Sequence, residues 1–359
     1  MKKNRKSAFN ICRLCTFLVW IMLITSLYGC SKDTEYILTT GFKPGEIFRI
    51  NQTSCYEAEA LVYLANIKNE YTKVYGVEIW STSQNGISLS DNVKETVIAR
   101  LAKIKVMTLM AEQMEIELDD KEKEKAKDAA EEYYSTLSKS EIEAMNDITV
   151  TMLYNMYCDY ALADKVYQDL IKNVNPEISD DDARTIIVKQ VVLYYSQTDE
   201  NGKVTKLSED GKQRQYDRAE AIRDMFVSGE KNFDELVSEY SEAGEETLYY
   251  QKNDIDPVFL DAAFSLATGE ATAVIDGGDG YYILYCVNPN DSSRTEQTKA
   301  SIISQMQQET FDKAYTAFEN GLECYINEEL LESLDYTLIM ASDDDNFFDV
   351  YNKYFGQAK

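Results

Sequence analysis

Histidine is absent from the 359-residue chain, and proline occurs only four times. Without an imidazole, the chain cannot build a Ser/His or Cys/His catalytic pair, an HExxH zinc site or a histidine acid/base centre. The cysteines beyond residue 30 are widely spaced in apolar segments, which favours isolated buried thiols over a disulfide framework or a metal site. They are Cys55, Cys158, Cys286 and Cys324. We therefore predict neither a metal site nor a cofactor.

Basic residues are also scarce, since 36 Lys and Arg stand against 63 Asp and Glu, for a net charge of −27. Removal of the five basic residues near the start would bring the net charge to −32. Nucleic acids and anionic lipid headgroups are bound through basic patches, so this surface argues against both partners. It favours solubility and basic polypeptide partners.

The first 29 residues have the pattern of an export signal. A basic start leads into an apolar run at residues 17–24, which is too short and wrongly flanked for a lasting membrane span. The following Leu27-Tyr28-Gly29-Cys30 resembles a bacterial lipobox, although Tyr28 is bulkier than the residue usually found there. We predict lipidation of Cys30, which would anchor the protein to the extracytoplasmic face of the cell membrane. A signal anchor or an ordinary signal peptide is the alternative.

Apolar residues recur at helical spacing on both sides of the chain's centre. Thr149 is predicted to begin one N-terminal helix, and Pro176 to follow its end. Near the C-terminus, one long helix is predicted from about residue 294 to residue 333. Such a helix needs a partner to bury its apolar stripe. The N-terminal helices are the natural partner, which would make the region between them an insertion.

The central region has a different character. Residues 186–195 are rich in β-branched residues and predict a strand, whereas residues 196–213 predict a polar flexible insertion. Helices are predicted at about 214–228 and 232–241, and Asp256-Pro257 has the pattern of a helix start. Residues 272–287, with a glycine-rich turn in the middle, predict a closing hairpin. Together these elements predict a small α+β unit with one antiparallel sheet.

The blocks at residues 218–223, 228–242, 257–270 and 280–285 resemble, in order and spacing, a parvulin-type peptidyl-prolyl isomerase domain. Such domains occur in the PrsA and SurA families of extracytoplasmic foldases. The resemblance implies an α+β architecture: a mainly helical, discontinuous chaperone domain with an inserted, small parvulin-like domain. The predicted divisions are a signal peptide (1–29), a tether (30–41), an N-terminal helical domain (42–176), a parvulin-like domain (177–289) and a C-terminal helical segment (290–359).

The resemblance also places the family's functional residues, and most of the polar ones are replaced. The family's His-Ile-Leu motif falls on Val191-Val192-Leu193, its Cys or Asp on Ala243, and the histidine of its Gly-Tyr-His-Ile motif on Tyr282. Tyr282 and Tyr249 are the weak catalytic candidates that remain. The apolar positions are better kept, and the candidate substrate-binding residues are Leu193, Tyr250, Ile255 and Phe259.

These residues imply a folding factor that binds unfolded or proline-containing exported polypeptides, with a catalytically degenerate parvulin-like domain. One alternative is an active peptidyl-prolyl isomerase that uses tyrosines in place of the missing histidines. Another is a non-catalytic scaffold lipoprotein with a single dedicated partner. The resemblance further implies that the chain can form a homodimer.

Overall fold

The computed structural model describes residues 41–84, 86–198, 204–243, 247–252, 255–336 and 346–356. The predicted signal peptide, Cys30 and nearly all of the predicted tether lie outside these residues. Within them, no helix combines the length and apolar character needed to cross a membrane.

Short strands and helices are interspersed along the chain. In chain order they are β1 (Glu46–Ile50), β2 (Thr53–Tyr56), α1 (Glu57–Tyr75), a 3-10 helix (Val77–Ser81), β3 (Ser83–Gln84), β4 (Ile87–Ser88), α2 (Leu89–Gln113), α3 (Asp120–Thr136), α4 (Lys139–Ala144), α5 (Val150–Ile171), α6 (Asp180–Ala183), β5 (Thr185–Tyr194), β6 (Ser196–Thr198), β7 (Val204–Lys206), α7 (Glu209–Val227), α8 (Phe233–Tyr240), β8 (Leu248–Gln251), α9 (Pro257–Phe264), β9 (Ile275–Asp276), β10 (Gly280–Asn288), α10 (Ser292–Glu319), β11 (Cys324–Ile326), α11 (Glu328–Ser333) and α12 (Phe347–Phe355). The predicted α+β class is confirmed.

The chain divides into two compact units. Among the described residues, unit 1 comprises those up to Lys172 and from Thr310 onward, and unit 2 those from Asn173 to Glu309, so the division falls within α10. In unit 1, helices share one core with an antiparallel sheet of strand order β11-β1-β2. In unit 2, the sheet is antiparallel with strand order β8-β5-β10-β9.

The core of unit 1 is closed by the C-terminal helix α12. Phe347 is fully buried, and its ring stacks on that of Tyr157 with 4.1 Å between centroids. The Phe347 backbone N–H donates to Asn66 Oδ1 at 2.8 Å, and its carbonyl accepts from the Tyr157 hydroxyl at 3.0 Å. These buried hydrogen bonds leave no backbone group of Phe347 unpaired, which fixes the helix start. The sequence alone offered no interpretation of this segment.

Two sequence expectations about the elements are wrong. The long helix predicted to residue 333 ends at Glu319, because Asn320 and Gly321 interrupt it and Cys324–Ile326 then pairs with β1 as β11. The stretch 196–213, predicted to be a flexible insertion, contains the paired strands β6 and β7 and the start of α7 among its described residues. The Ser208 hydroxyl caps the first turn of α7 by accepting from the Gly211 N–H at 3.2 Å. The short-range pattern could not reveal β11, since its partner strand lies about 275 residues earlier in the chain.

Other local signals are confirmed. The Thr149 hydroxyl accepts from the Met152 N–H at 3.2 Å and begins α5. Asp256 caps α9 through the Val258 N–H at 3.0 Å, and Pro257 occupies the first helical turn. Both signals depend on neighbours within three residues, so tertiary contacts do not override them.

Candidate functional site

The register of β5 and β10 decides which side chains of unit 2 can meet. Tyr282 lies opposite Val192, Gly280 opposite Tyr194, and Leu284 opposite Gln190. Because successive residues on a strand point to opposite faces, even-numbered residues of both strands share one face. That face packs against α9, and we call it the α9 face. The odd-numbered residues form the other face, which packs against α7 and α8.

Four side chains on the α9 face form a partly open apolar surface, which we call the aromatic shelf: Tyr250, Ile255, Phe259 and Tyr282. Ile255 is buried, whereas the three aromatic residues are half-buried. The Phe259 and Tyr282 rings meet edge to face, with 4.9 Å between centroids. Such a pair is a favourable aromatic geometry and presents a rigid apolar surface.

The glycine turn between β9 and β10 makes room for this ring pair. A Cβ added to Gly277 would lie 2.4 Å from Tyr282 Cε2 and 3.0 Å from Phe259 Cζ. Gly278 has φ of +87°, a conformation that favours glycine. The two glycines therefore allow the turn to lie directly against the shelf.

The Tyr282 hydroxyl is already engaged. It donates a hydrogen bond to Asp279 Oδ1 at 2.9 Å. Burial and, secondly, the Asp279 carboxylate raise the pKa of Tyr282 well above its usual value. The phenol therefore stays protonated at neutral pH. It can act as a hydrogen-bond donor, but it cannot act as a base there.

Two of the sequence-predicted site residues lie on the wrong face of the sheet. Leu193 is fully buried in the core under α7 and α8. Contrary to the expectation from the sequence, it does not line the shelf. Tyr249 lies opposite Ile187, also away from the shelf, and the Arg294 guanidinium covers its ring at 3.6 Å from the centroid. Tyr249 is therefore not placed to assist catalysis at Phe259. The period of two along a strand separates both residues from the shelf.

The two replaced family positions on and after β5 offer no polar side chain. Val191, aligned with the family histidine, is buried on the face of α7 and α8, and Val192 is the residue opposite Tyr282. Ala243 follows α8 and is half-buried. Neither a valine nor an alanine side chain can donate or accept a hydrogen bond.

The loop before Ala243 hydrogen-bonds to the edge of β5. The Val192 N–H donates to Ser241 Oγ at 3.2 Å, and the Val192 carbonyl accepts from the Glu242 N–H at 2.9 Å. The Tyr194 N–H donates to Glu242 Oε2 at 2.9 Å. This pairing satisfies the backbone groups of β5 on that side, so they are not available to a bound peptide.

Sequence reasoning missed Asp279, Gly277 and Tyr194 as parts of this site. Tyr194 shares the α9 face with Tyr282. The glycine-rich turn was recognised only as a hairpin signal. Its position beside Phe259 depends on the packing of α9, which no local pattern specifies.

An open cavity of about 720 Å³ lies on the opposite side of the sheet, between α8 and β10. The stacked rings of Phe233 and Tyr285, 4.8 Å apart, form part of its wall together with Lys189. Lys189 is paired with Asp234. Across the described residues, no group of three or more His, Cys, Asp or Glu side chains is arranged to hold a metal ion.

Among solved structures, two PrsA proteins are distant matches to this chain. The peptidylprolyl isomerase PrsA of Bacillus cereus is 15% identical, with 76% of this chain and 97% of that chain covered and a TM-score of 0.34. The foldase PrsA of Lactococcus lactis is 16% identical, with 80% and 97% covered and a TM-score of 0.29.

Sequence comparison gives a more specific result. A family model of the PPIC-type peptidyl-prolyl isomerase domain, or rotamase, matches residues 198–288. The foldase protein PrsA of Caldanaerobacter subterraneus subsp. tengcongensis is 25% identical over 285 residues, with 76% of this chain and 81% of that protein covered. The predicted resemblance to parvulin-containing, PrsA-like foldases is confirmed.

Proposed function

We propose that this chain, which is PrsA-like and carries a PPIC-type isomerase domain, is a membrane-anchored extracytoplasmic folding factor. Its shelf binds proline-containing segments of unfolded exported polypeptides, and its isomerase activity is low or lost. The helical regions at residues 42–176 and 290–359 form the chaperone part in this proposal, with the parvulin-like domain at 177–289 inserted between them. A lipid on Cys30 holds the protein at the membrane.

One observation carries this proposal: the apolar half of the site is present and accessible while its polar half is missing. Phe259, Tyr250 and Tyr282 keep part of their rings exposed on the α9 face. A proline ring packed on them would lose contact with water, and burial of that size stabilises a complex by roughly 1–2 kcal/mol. The shelf therefore favours weak, reversible binding.

Catalysis needs more than this surface. Rotation about a peptide bond faces a barrier of about 18–20 kcal/mol, and an isomerase lowers it with polar groups around the bond. Val191 and Ala243 supply none, and the Tyr282 hydroxyl donates its hydrogen bond to the Asp279 carboxylate. Desolvation on the shelf alone would speed rotation modestly.

The proposal is tested by NMR exchange on a blocked Ala-Ala-Pro-Phe peptide with the full chain in mild detergent. We expect binding in the wild type and background isomerisation rates. Phe259→Ala should weaken binding roughly five- to twentyfold, which corresponds to about 1–2 kcal/mol. The matched control is Phe226→Ala, which removes a half-buried ring from α7 on the opposite face. Equal losses in both variants would contradict binding on the shelf.

An active isomerase is the second candidate, since the Tyr282 hydroxyl is a donor beside Phe259. In that case the exchange rate would exceed background and would fall in Tyr282→Phe. Retained binding at background rates in both proteins would instead support a folding factor without the chemistry.

A scaffold lipoprotein with one partner would behave differently with clients. We expect the full chain to suppress aggregation of several unrelated unfolded proteins, and a single stoichiometric partner without such suppression would favour the scaffold.

Fatty-acid labelling of the wild type and Cys30→Ser tests the anchor. Sedimentation analysis tests the proposed ability to form a homodimer.

A further inference from the structure

The carboxylates around the aromatic shelf differ in how fully their charge is compensated. Asp256 caps α9 through the Val258 N–H at 3.0 Å. Asp276 Oδ1 accepts from the Tyr195 hydroxyl at 2.8 Å and from the Gly278 N–H at 2.9 Å. Both carboxylates are therefore used inside the fold.

Asp279 is different. It is exposed, and within the described part of the chain its side chain accepts a hydrogen bond from the neutral Tyr282 hydroxyl. It forms no ion pair with any residue in the described part of the chain. Two cations near the other end of β5 and β8, Arg184 and Lys252, both pair with Asp181 instead.

The hydrogen bond from Tyr282 places this carboxylate at the edge of the shelf. Tyr282 in turn contacts Phe259, and Tyr194 lies on the same face of β5. The faces of tyrosine and phenylalanine rings attract cations, and a carboxylate beside them adds a second attraction of the same sign. The net charge of −27 for the whole chain strengthens the attraction for a basic ligand at low salt.

We propose that the shelf selects proline-containing segments in which a lysine or arginine is adjacent to the proline. In this proposal the Asp279 carboxylate attracts that basic side chain. The proposal rests on the proposed function of the shelf and names its substrate class. Apolar packing on Phe259 supplies the contact common to all such segments. The Asp279 carboxylate discriminates among them.

Peptide competition with the full chain tests this specificity. The probes are blocked tetrapeptides with Lys before proline, Lys after proline, Ala on both sides, Glu on either side, and acetyl-lysine in place of each lysine. We expect at least one lysine peptide to bind roughly three- to tenfold more tightly than the alanine peptide, and the glutamate peptides to bind more weakly. Acetylation should remove the advantage, and 0.5 M salt should reduce it.

Two variants assign the effect to one carboxylate. Asp279→Asn can still accept from Tyr282, and it should abolish the difference between lysine and glutamate peptides. The matched control is Asp224→Asn, which removes the same charge from an exposed position on α7. That control should retain the preference, because α7 packs on the opposite face of the sheet.

The outcomes separate this inference from the function on which it rests. If Phe259→Ala weakens no peptide, the proposed function fails. If Phe259→Ala weakens the binding of every peptide, and the wild type binds the lysine, alanine and glutamate peptides equally, only the specificity is wrong. A lysine preference that persists in Asp279→Asn, or that Asp224→Asn also removes, overturns the assignment to Asp279. The acetyl-lysine comparison needs no substitution, so it decides the charge dependence even if a variant folds poorly.

Discussion

The two faces of the sheet in unit 2 differ in how completely helices cover them. Beneath α7 and α8, Val191, Leu193 and Ile283 are almost completely buried. On the α9 face, a single eight-residue helix leaves Phe259 and Tyr282 half-buried. The residues buried under α7 and α8 provide stability, whereas the half-buried rings of the α9 face keep apolar area for a ligand. Neighbouring residues of one strand, such as the half-buried Tyr282 and the buried Ile283, therefore have different roles.

The largest expected effect comes from the covered face. Leu193→Ala should lower the free energy of unfolding of unit 2 by roughly 2–5 kcal/mol, because it leaves a cavity in a fully buried site. Hydrogen exchange of β5 and β10 followed by mass spectrometry measures this local stability. A loss of peptide binding without any loss of protection would show that Leu193 contacts ligand after all.

An intermediate effect is expected from crowding the shelf. Gly277→Ala should displace the Tyr282 and Phe259 rings, since its methyl would lie 2.4 Å and 3.0 Å from them. We expect a cost of roughly 1–3 kcal/mol and weaker peptide binding. Protection of α7 and α8 in hydrogen exchange should change little. If it falls as much as that of β10, the two faces are not independent.

A smaller effect separates two tyrosines on opposite faces. Tyr195 is buried and donates to Asp276 at 2.8 Å, whereas Tyr282 is half-buried and donates to Asp279. Replacement of either by phenylalanine removes one hydrogen bond, at a cost of about 1 kcal/mol. Only Tyr282→Phe should also alter peptide affinity. Urea unfolding and peptide titration of both variants check this difference.

The smallest effect is a pH dependence above the physiological range. Burial raises the pKa of both Tyr195 and Tyr282 above the unfolded value of about 10. Their contribution to stability is therefore complete below pH 10 and is lost as the pH rises through the folded pKa, because the unfolded chain releases its protons first. Each phenylalanine variant should show a shallower decline between pH 9 and 11 in urea unfolding. An unchanged slope in both would contradict these shifts.

Much of the fold could be predicted where the signal was local. The strand predicted at residues 186–195 is β5 (Thr185–Tyr194), and the helix start at Asp256-Pro257 is confirmed. The domain boundaries stay a prediction. Phe259, Tyr250 and Ile255 do lie together on one face, as their alignment with apolar family positions suggested. Leu193 and Tyr249 do not, because each is one residue out of phase with the shelf residues of its sheet, and the packing of α9 decides which phase lines the shelf.

The sequence by itself determined the composition of the site: no histidine, an aromatic helix start after Asp256, and a glycine-rich turn before Tyr282. These are properties of residue type and of short spacing, which the chain carries without folding. Only the tertiary structure decided that Tyr282 faces Val192 and donates to Asp279 beside Phe259. A shift of one residue in the strand register would reverse every face assignment, and that register depends on the long-range packing of the sheet between its helices.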